Sequence, residues 1–128
     1  MDPIHALIID DNITNIEVLA RFLSSTREVQ ITQIQNPLNL AQVLPDLEQI
    51  DIAFVDLEMP NLNGYEVLKI LRNNGVEGYI IAYTVHTNEI NTAREMGFDG
   101  FLSKPLRANT FAENLEKILS GESIWVVS

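Results

Sequence analysis

Cysteine is absent from the 128 residues. That excludes disulfides, thiolate metal sites and cysteine nucleophiles. Positive charge is scarce: 8 Lys and Arg stand against 18 Asp and Glu, a formal charge of −10. Binding to nucleic acid is driven by Lys and Arg displacing counterions from phosphates, so a duplex repels such a surface. An anionic membrane surface is disfavoured for the same reason. Long apolar runs are also missing. Stretches such as Ala6 to Ile9 and Tyr79 to Tyr83 reach about five residues, against the roughly 20 needed to span a bilayer. The opening Met1-Asp2-Pro3-Ile4-His5 lacks the basic region of a secretory signal. These absences lead us to expect a cytoplasmic domain with no direct nucleic-acid or membrane contact.

What is present fits one soluble domain over residues 1–128, with 46% hydrophobic and 20% charged residues. Short apolar runs alternate with amphipathic stretches. His5 to Ile9, Glu28 to Ile34, Ile52 to Val55, Tyr79 to Tyr83 and Gly100 to Leu102 read as strands. Ile13 to Leu23, Leu38 to Leu47, Gly64 to Arg72, Glu89 to Met96 and Ala108 to Leu119 read as helices. Thr14 and Glu17 have capping-box spacing at the start of the first helix. Pro45 makes the second helix short or irregular. Ile90, Ala93 and Met96 are expected to face inward from the fourth, with Gly97 as its stop. Five strands alternating with five helices imply a doubly wound α/β fold: a parallel sheet covered on both faces by right-handed crossovers. The tail Ser123 to Ser128 is apolar enough to pack back on the domain, Trp125 as a packing residue; its other reading is the stub of a linker. His5 and His86 are expected at the surface or at strand ends, not as metal ligands, since neither has a second His or Cys at ligand spacing.

Ligands of an open parallel α/β sheet bind beyond the carboxyl ends of its strands. The first strand delivers Asp10 and Asp11 there, the third Asp56, the fourth Thr84 and the fifth Lys104. Three converging carboxylates repel one another unless protonated or neutralised by a cation. Hard oxygen ligands suit Mg²⁺, which takes one or two carboxylates directly and keeps several waters. A divalent ion beside an ammonium and a hydroxyl suits a phosphoryl group, whose oxygens both cations bind. One carboxylate can then serve as nucleophile and form an acyl phosphate. Taken singly, Asp10 is equally an N-cap of the first helix, as is Asn12, while Asp56 is a turn residue, Lys104 a surface charge and Phe101 core.

Ile8-Ile9-Asp10-Asp11-Asn12, Val55-Asp56-Leu57-Glu58-Met59-Pro60 through Asn63-Gly64, Ala82-Tyr83-Thr84 and Ser103-Lys104-Pro105 together resemble the motif set of response-regulator receiver domains, in order and spacing, over essentially the whole chain. The resemblance implies a (βα)5 flavodoxin-like, CheY-like sheet of five strands in the order 2-1-3-4-5, serving a two-component phosphorelay. It makes Asp56 the phosphoacceptor. Asp11 and Asp56 bind Mg²⁺ with the backbone carbonyl of Glu58, and Asp10 does so through water. Lys104, ahead of a cis bond to Pro105, pairs with the phosphoryl group. Thr84 turns its hydroxyl towards that group, and Phe101 moves inward as Thr84 moves. The surface of the fourth helix, fifth strand and fifth helix then changes for a downstream partner protein. The implied donor is a sensor histidine kinase or phosphotransfer protein, and homodimerisation through the last two helices stays open.

Two residues, Val85 and Asn63, depart from the family pattern, and two more, Glu58 and His86, hold positions at which the family varies. Val85 follows Thr84 where a smaller residue is usual, which narrows access to Asp56. Glu58 and His86 hold positions that tune hydrolysis, and Asn63 replaces a common Asp. Two other functions compete with this one. A Mg²⁺-dependent phosphohydrolase with an aspartyl nucleophile carries a second acid two residues on, as Glu58 is, but needs a cap for which this chain has no length. A flavodoxin-like cofactor binder needs a phosphate-cradling loop where Asp10-Asp11-Asn12 stand.

Overall fold

The computed structural model describes residues 3–60 and 62–126. Five strands, β1 (Ile4–Ile9), β2 (Val29–Ile34), β3 (Ile52–Asp56), β4 (Tyr79–Thr84) and β5 (Gly100–Ser103), form one parallel sheet in the order β2-β1-β3-β4-β5. The helices are α1 (Ile13–Thr26), α2 (Leu40–Val43), α3 (Gly64–Asn73), α4 (Ile90–Met96) and α5 (Ala108–Leu119). Among the described residues no helix is long and apolar enough to cross a membrane.

Side chains alternate across a strand, so each strand feeds both faces of the sheet. Leu7, Ile9, Ala53, Val55, Ala82 and Phe101 pack on one face with Val67, Leu68 and Leu71 of α3 and Ala93 of α4. Ile8, Ile52, Phe54, Ile81, Tyr83 and Leu102 pack on the other with Ile16, Leu19 and Leu23 of α1 and Phe111, Leu115 and Ile118 of α5. Burial on both faces explains the continuous apolar runs of β1 and β3.

Several expectations need correction. Of the candidate caps of the first helix Asn12 is the one used, its side chain accepting from Asn15 N at 3.1 Å; Thr14 already lies inside the helix and forms no capping box with Glu17. A capping box does form at α3: the Asn63 side chain accepts from Glu66 N, and the Glu66 side chain accepts from Asn63 N. The second helix breaks into a 3-10 turn (Pro37–Asn39), one turn of α2 and another 3-10 turn (Leu44–Asp46), with Pro45 at the last break. Met96 is 45% exposed rather than inward. Each three-residue step falls about 60° short of a full turn, so Met96, two such steps past Ile90, has rotated off the buried face. Gly97, at φ 110°, ends α4 as expected.

His5 is 3% exposed, not at the surface. Its Nδ1 lies 3.1 and 3.2 Å from the carbonyl oxygens of Glu48 and Gln49, which can only accept, so Nδ1 donates. Nε2 sits 2.7 Å from Thr32 Oγ1. One imidazole thus ties two carbonyls of the loop entering β3 to β1.

Gly64 has no room for a side chain. A Cβ there would stand 2.6 Å from Asp56 O and 2.7 Å from Leu57 Cα, both backbone atoms. Gly64→Ala is therefore expected to destabilise by about 2 kcal/mol, read as a lower urea midpoint. Its NMR shift changes should centre on Asp56 and Leu57.

Candidate functional site

The sheet register builds the site. Ile9 pairs with Val55, and Asp56 pairs with Tyr83. Continued one residue past β1, the same register sets Asp10 beside Asp56, so Asp10, Asp56 and Tyr83 share the face covered by α1 and α5. Thr84 has the parity of Ala82 and so belongs to the face that holds Phe101 and α4.

Asp10 is fully buried, and its carboxylate accepts three hydrogen bonds. Oδ2 accepts from the Tyr83 hydroxyl at 2.7 Å and from Lys104 Nζ at 3.2 Å; Oδ1 accepts from Asn12 N at 2.9 Å. Lys104 Nζ also lies 3.6 Å from Asp56 Oδ2 and 4.4 Å from the centre of the Tyr83 ring. Carboxylate oxygens of Asp10, Asp11 and Asp56 all lie within 4.8 Å of one another. Burial works against the charge of Asp10, but the Asn12 N–H, the Tyr83 hydroxyl and Lys104 prevail and hold its carboxyl below the usual range. Asp56 goes the other way. Burial, helped by the charge of Asp10 and opposed by Lys104, pushes it up to about 6. The Tyr83 hydroxyl, buried against Asp10, is held far above its ordinary value.

Three carboxylates and one ammonium leave an excess of two negative charges. The donor set is hard oxygen, and burial together with the charge of Asp10 raises Asp56 against the pull of Lys104. A small divalent cation fits this site. Asp56, Tyr83, Thr84 and Lys104 line a cleft of about 470 Å³ with Val85, His86, Pro105 and Leu106 at its walls. Val85 lines this cleft and is 61% exposed. The Lys104–Pro105 bond is cis, as expected. The Thr84 hydroxyl accepts from His86 N at 3.2 Å, and Thr84 O accepts from Lys104 N at 2.8 Å. Phe101 is fully buried.

The family model for the response regulator receiver domain matches residues 6–116. The chain belongs to that family. It is a receiver domain of the two-component response-regulator type, a regulatory signalling domain. A nitrate/nitrite response regulator protein homolog of Haemophilus influenzae is 32% identical over 112 residues, which is 86% of this chain and 48% of that protein. The receiver thus spans about half the length of that curated relative. Among solved structures, the chemotaxis protein CheY4 of Vibrio cholerae matches 91% of this chain and 99% of its own with a TM-score of 0.79 at 18% identity. The receiver domain of a Pseudomonas aeruginosa sensor histidine kinase, which has a magnesium ion coordinated in its active-site cleft, matches 94% of this receiver and 100% of its own chain (TM-score 0.76, 23% identity). At such identities these structures establish the fold.

Two parts of the site escaped the sequence reading. Tyr83 supports both Asp10 and Lys104; its signal was a tyrosine in a strand buried on both faces, whose hydroxyl had to find a partner. The other is the pair His86 Nε2–Glu58 Oε2 at 2.8 Å, formed by two exposed side chains at the cleft mouth. No local pattern links residues 28 positions apart.

Proposed function

We propose that Asp56 carries the phosphoryl group of a signalling switch, received from the phosphohistidine of a histidine kinase or phosphotransfer protein in the cytoplasm. The observation that carries this is the meeting of Asp10, Asp11 and Asp56 within 4.8 Å, with Lys104 bonded to Asp10 and close to Asp56. Mg²⁺ would be held by Asp11, Asp56 and the Glu58 carbonyl, with Asp10 acting through water. When bound, it supplies a Lewis acid that offsets charge on the transferring oxygens.

The residues divide the work. An Asp56 oxygen attacks phosphorus; the P–N bond to the donor imidazole breaks, and the imidazole leaves with the bonding pair. Lys104 pairs with the added phosphoryl oxygens while Tyr83 keeps Asp10 in place. The Thr84 hydroxyl exchanges its contact with His86 N for a phosphoryl oxygen. Thr84 shares a sheet face with Phe101 and α4, so its movement reaches the α4–β5–α5 surface that a downstream protein reads. The same groups let the domain assist its own phosphorylation and dephosphorylation, with water as the second acceptor. The phosphohydrolase alternative needs Glu58 as an acid over the substrate, whereas its carboxylate is exposed and engaged by His86.

The test is incubation with phosphoramidate and Mg²⁺, followed by intact-mass analysis and peptide mapping. One phosphoryl group at Asp56, lost with EDTA and in Asp56→Asn, is the expected result. Modification elsewhere, or sustained turnover of a small phosphoester, overturns the assignment.

A further inference from the structure

The edge of β5 is closed by the chain's own tail. Phe101 N donates to Ile124 O at 2.7 Å, and Val126 N donates to Phe101 O at 2.9 Å. Both main-chain groups of Phe101 are therefore spent on residues 124–126, in a parallel bridge centred on Trp125. Gly100 makes the approach feasible, since a Cβ there would come within 2.9 Å of Ile124 O. The tail alternates as a strand does. Trp125 packs with the cluster of Phe101 and Ala93, while Ile124 and Val126 pack with the α1/α5 cluster. Above Trp125 lies the Arg94 guanidinium of α4, 4.5 Å from the ring centre.

That stack matters because α4 has few other anchors. It is seven residues long, has no side-chain cap at its N-terminus, and Ala93 is its one fully buried residue. An element with so little buried surface opens locally at low cost. It also follows Thr84 by six residues, through an exposed Val85-His86 and a 3-10 turn (Thr87–Glu89). The tail and α4 thus brace each other across Phe101.

We infer that residues 124–126 form a latch that holds α4 against the edge of β5 in the resting state and loosens when the Asp56 site is loaded. The loading half rests on the proposed phosphorylation of Asp56; the bracing half does not. Removing the cation in Arg94→Gln weakens the brace without disturbing the core. Loosening the latch frees the main-chain edge of Phe101, and the protection of the Val126 amide reports it directly.

Amide hydrogen exchange on the full chain decides the matter. Without ligand, Arg94→Gln is expected to speed exchange at Val126 and through α4 by roughly two- to fivefold, the range of an exposed cation–π contact. Protection in α1 and α3 should not change. Trp125→Ala should do the same to α4 and more strongly. If both variants keep wild-type protection in α4, the bracing half is wrong. With Mg²⁺ and beryllofluoride, the Val126 amide should exchange roughly tenfold faster and Trp125 emission should move to the red. Fluorine NMR follows beryllofluoride binding independently. Binding with unchanged Val126 protection overturns the latch and leaves the phosphorylation reading intact. Failure to bind overturns that reading together with the loading half, and the ligand-free exchange still judges the brace.

Discussion

Lys104→Ala is expected to cost about 3 kcal/mol of stability at pH 7.5 in the absence of divalent metal, and most of that loss should return with saturating Mg²⁺. The Lys104 ammonium is mostly buried, 3.2 Å from Asp10 and 3.6 Å from Asp56. Deleting it strands two buried carboxylates with no cation between them. Removing one partner of a buried pair is far costlier than the pair itself is worth. Tyr83 loses the cation over its ring, yet its hydroxyl still bonds Asp10, so the strand ends stay in place. A cation that binds only the folded state stabilises it by mass action. Mg²⁺ should therefore raise the urea midpoint of the variant more than that of the parent, because only the variant lacks a resident positive charge. Acid should narrow the deficit as well, because protonation of Asp56 relieves the repulsion. A deficit of the same size with and without Mg²⁺ would show that lysine and metal do not neutralise the same oxygens.

The strand ends were legible because two unrelated requirements coincide there. A strand buried on both faces must be apolar, so the first polar residue after Ile9, Val55 or Tyr83 marks where the sheet meets solvent. Asp10, Asp56 and Thr84 sit at those positions, and the parallel register aligns them regardless of their distance along the chain. What stayed hidden depends on backbone geometry or on contacts that no periodicity encodes. Sequence offers Asp10, Asn12 and the Thr14–Glu17 pair as starts of the first helix, and only the extended backbone at residue 12 selects Asn12. The burial of His5 follows from two loop carbonyls at Glu48 and Gln49, which have no sequence signature of their own. The apolar Ile124, Trp125 and Val126 mark the tail as packing back on the domain, but its pairing with β5 is a main-chain event that side-chain pattern does not encode.

The two faces of the sheet have different duties at the site. Asp10, Asp56 and Tyr83 lie with α1 and α5, whose long helices bury three core side chains each. Thr84 and Phe101 lie with α4, which buries one. The chemistry is thus mounted against two firmly packed helices, and the response against the one helix with little buried surface. A phosphoryl group at Asp56 can then shift α4 without loosening the residues that hold it.

Asp56→Asn should be more stable than the parent by about 2 kcal/mol at pH 7.5 without metal, and the gain should vanish towards pH 4. The folded-state value of Asp56 is raised from 3.8 to about 6, first by burial and then by the charge of Asp10. A carboxyl raised on folding binds its proton more tightly in the native state. Its contribution to stability is therefore greatest at low pH and falls as pH climbs from about 4 to about 6, where the native carboxylate ionises. Asparagine keeps the shape and never ionises, so the difference between the two proteins should open across that window and be flat above it. Asp10 has the opposite slope: its lowered value makes its contribution present above 3.8 and lost only as pH falls below that. The two carboxylates can thus be told apart in one series of urea titrations carried from about pH 8 down to about pH 2, Asp56 showing its slope above 3.8 and Asp10 below it. Mg²⁺ should reverse the order at neutral pH, since the parent gains a ligated ion and the variant loses one of its carboxylate ligands. If Asp56→Asn is no more stable than the parent at pH 7.5 without metal, the carboxylate is not held at a cost to folding.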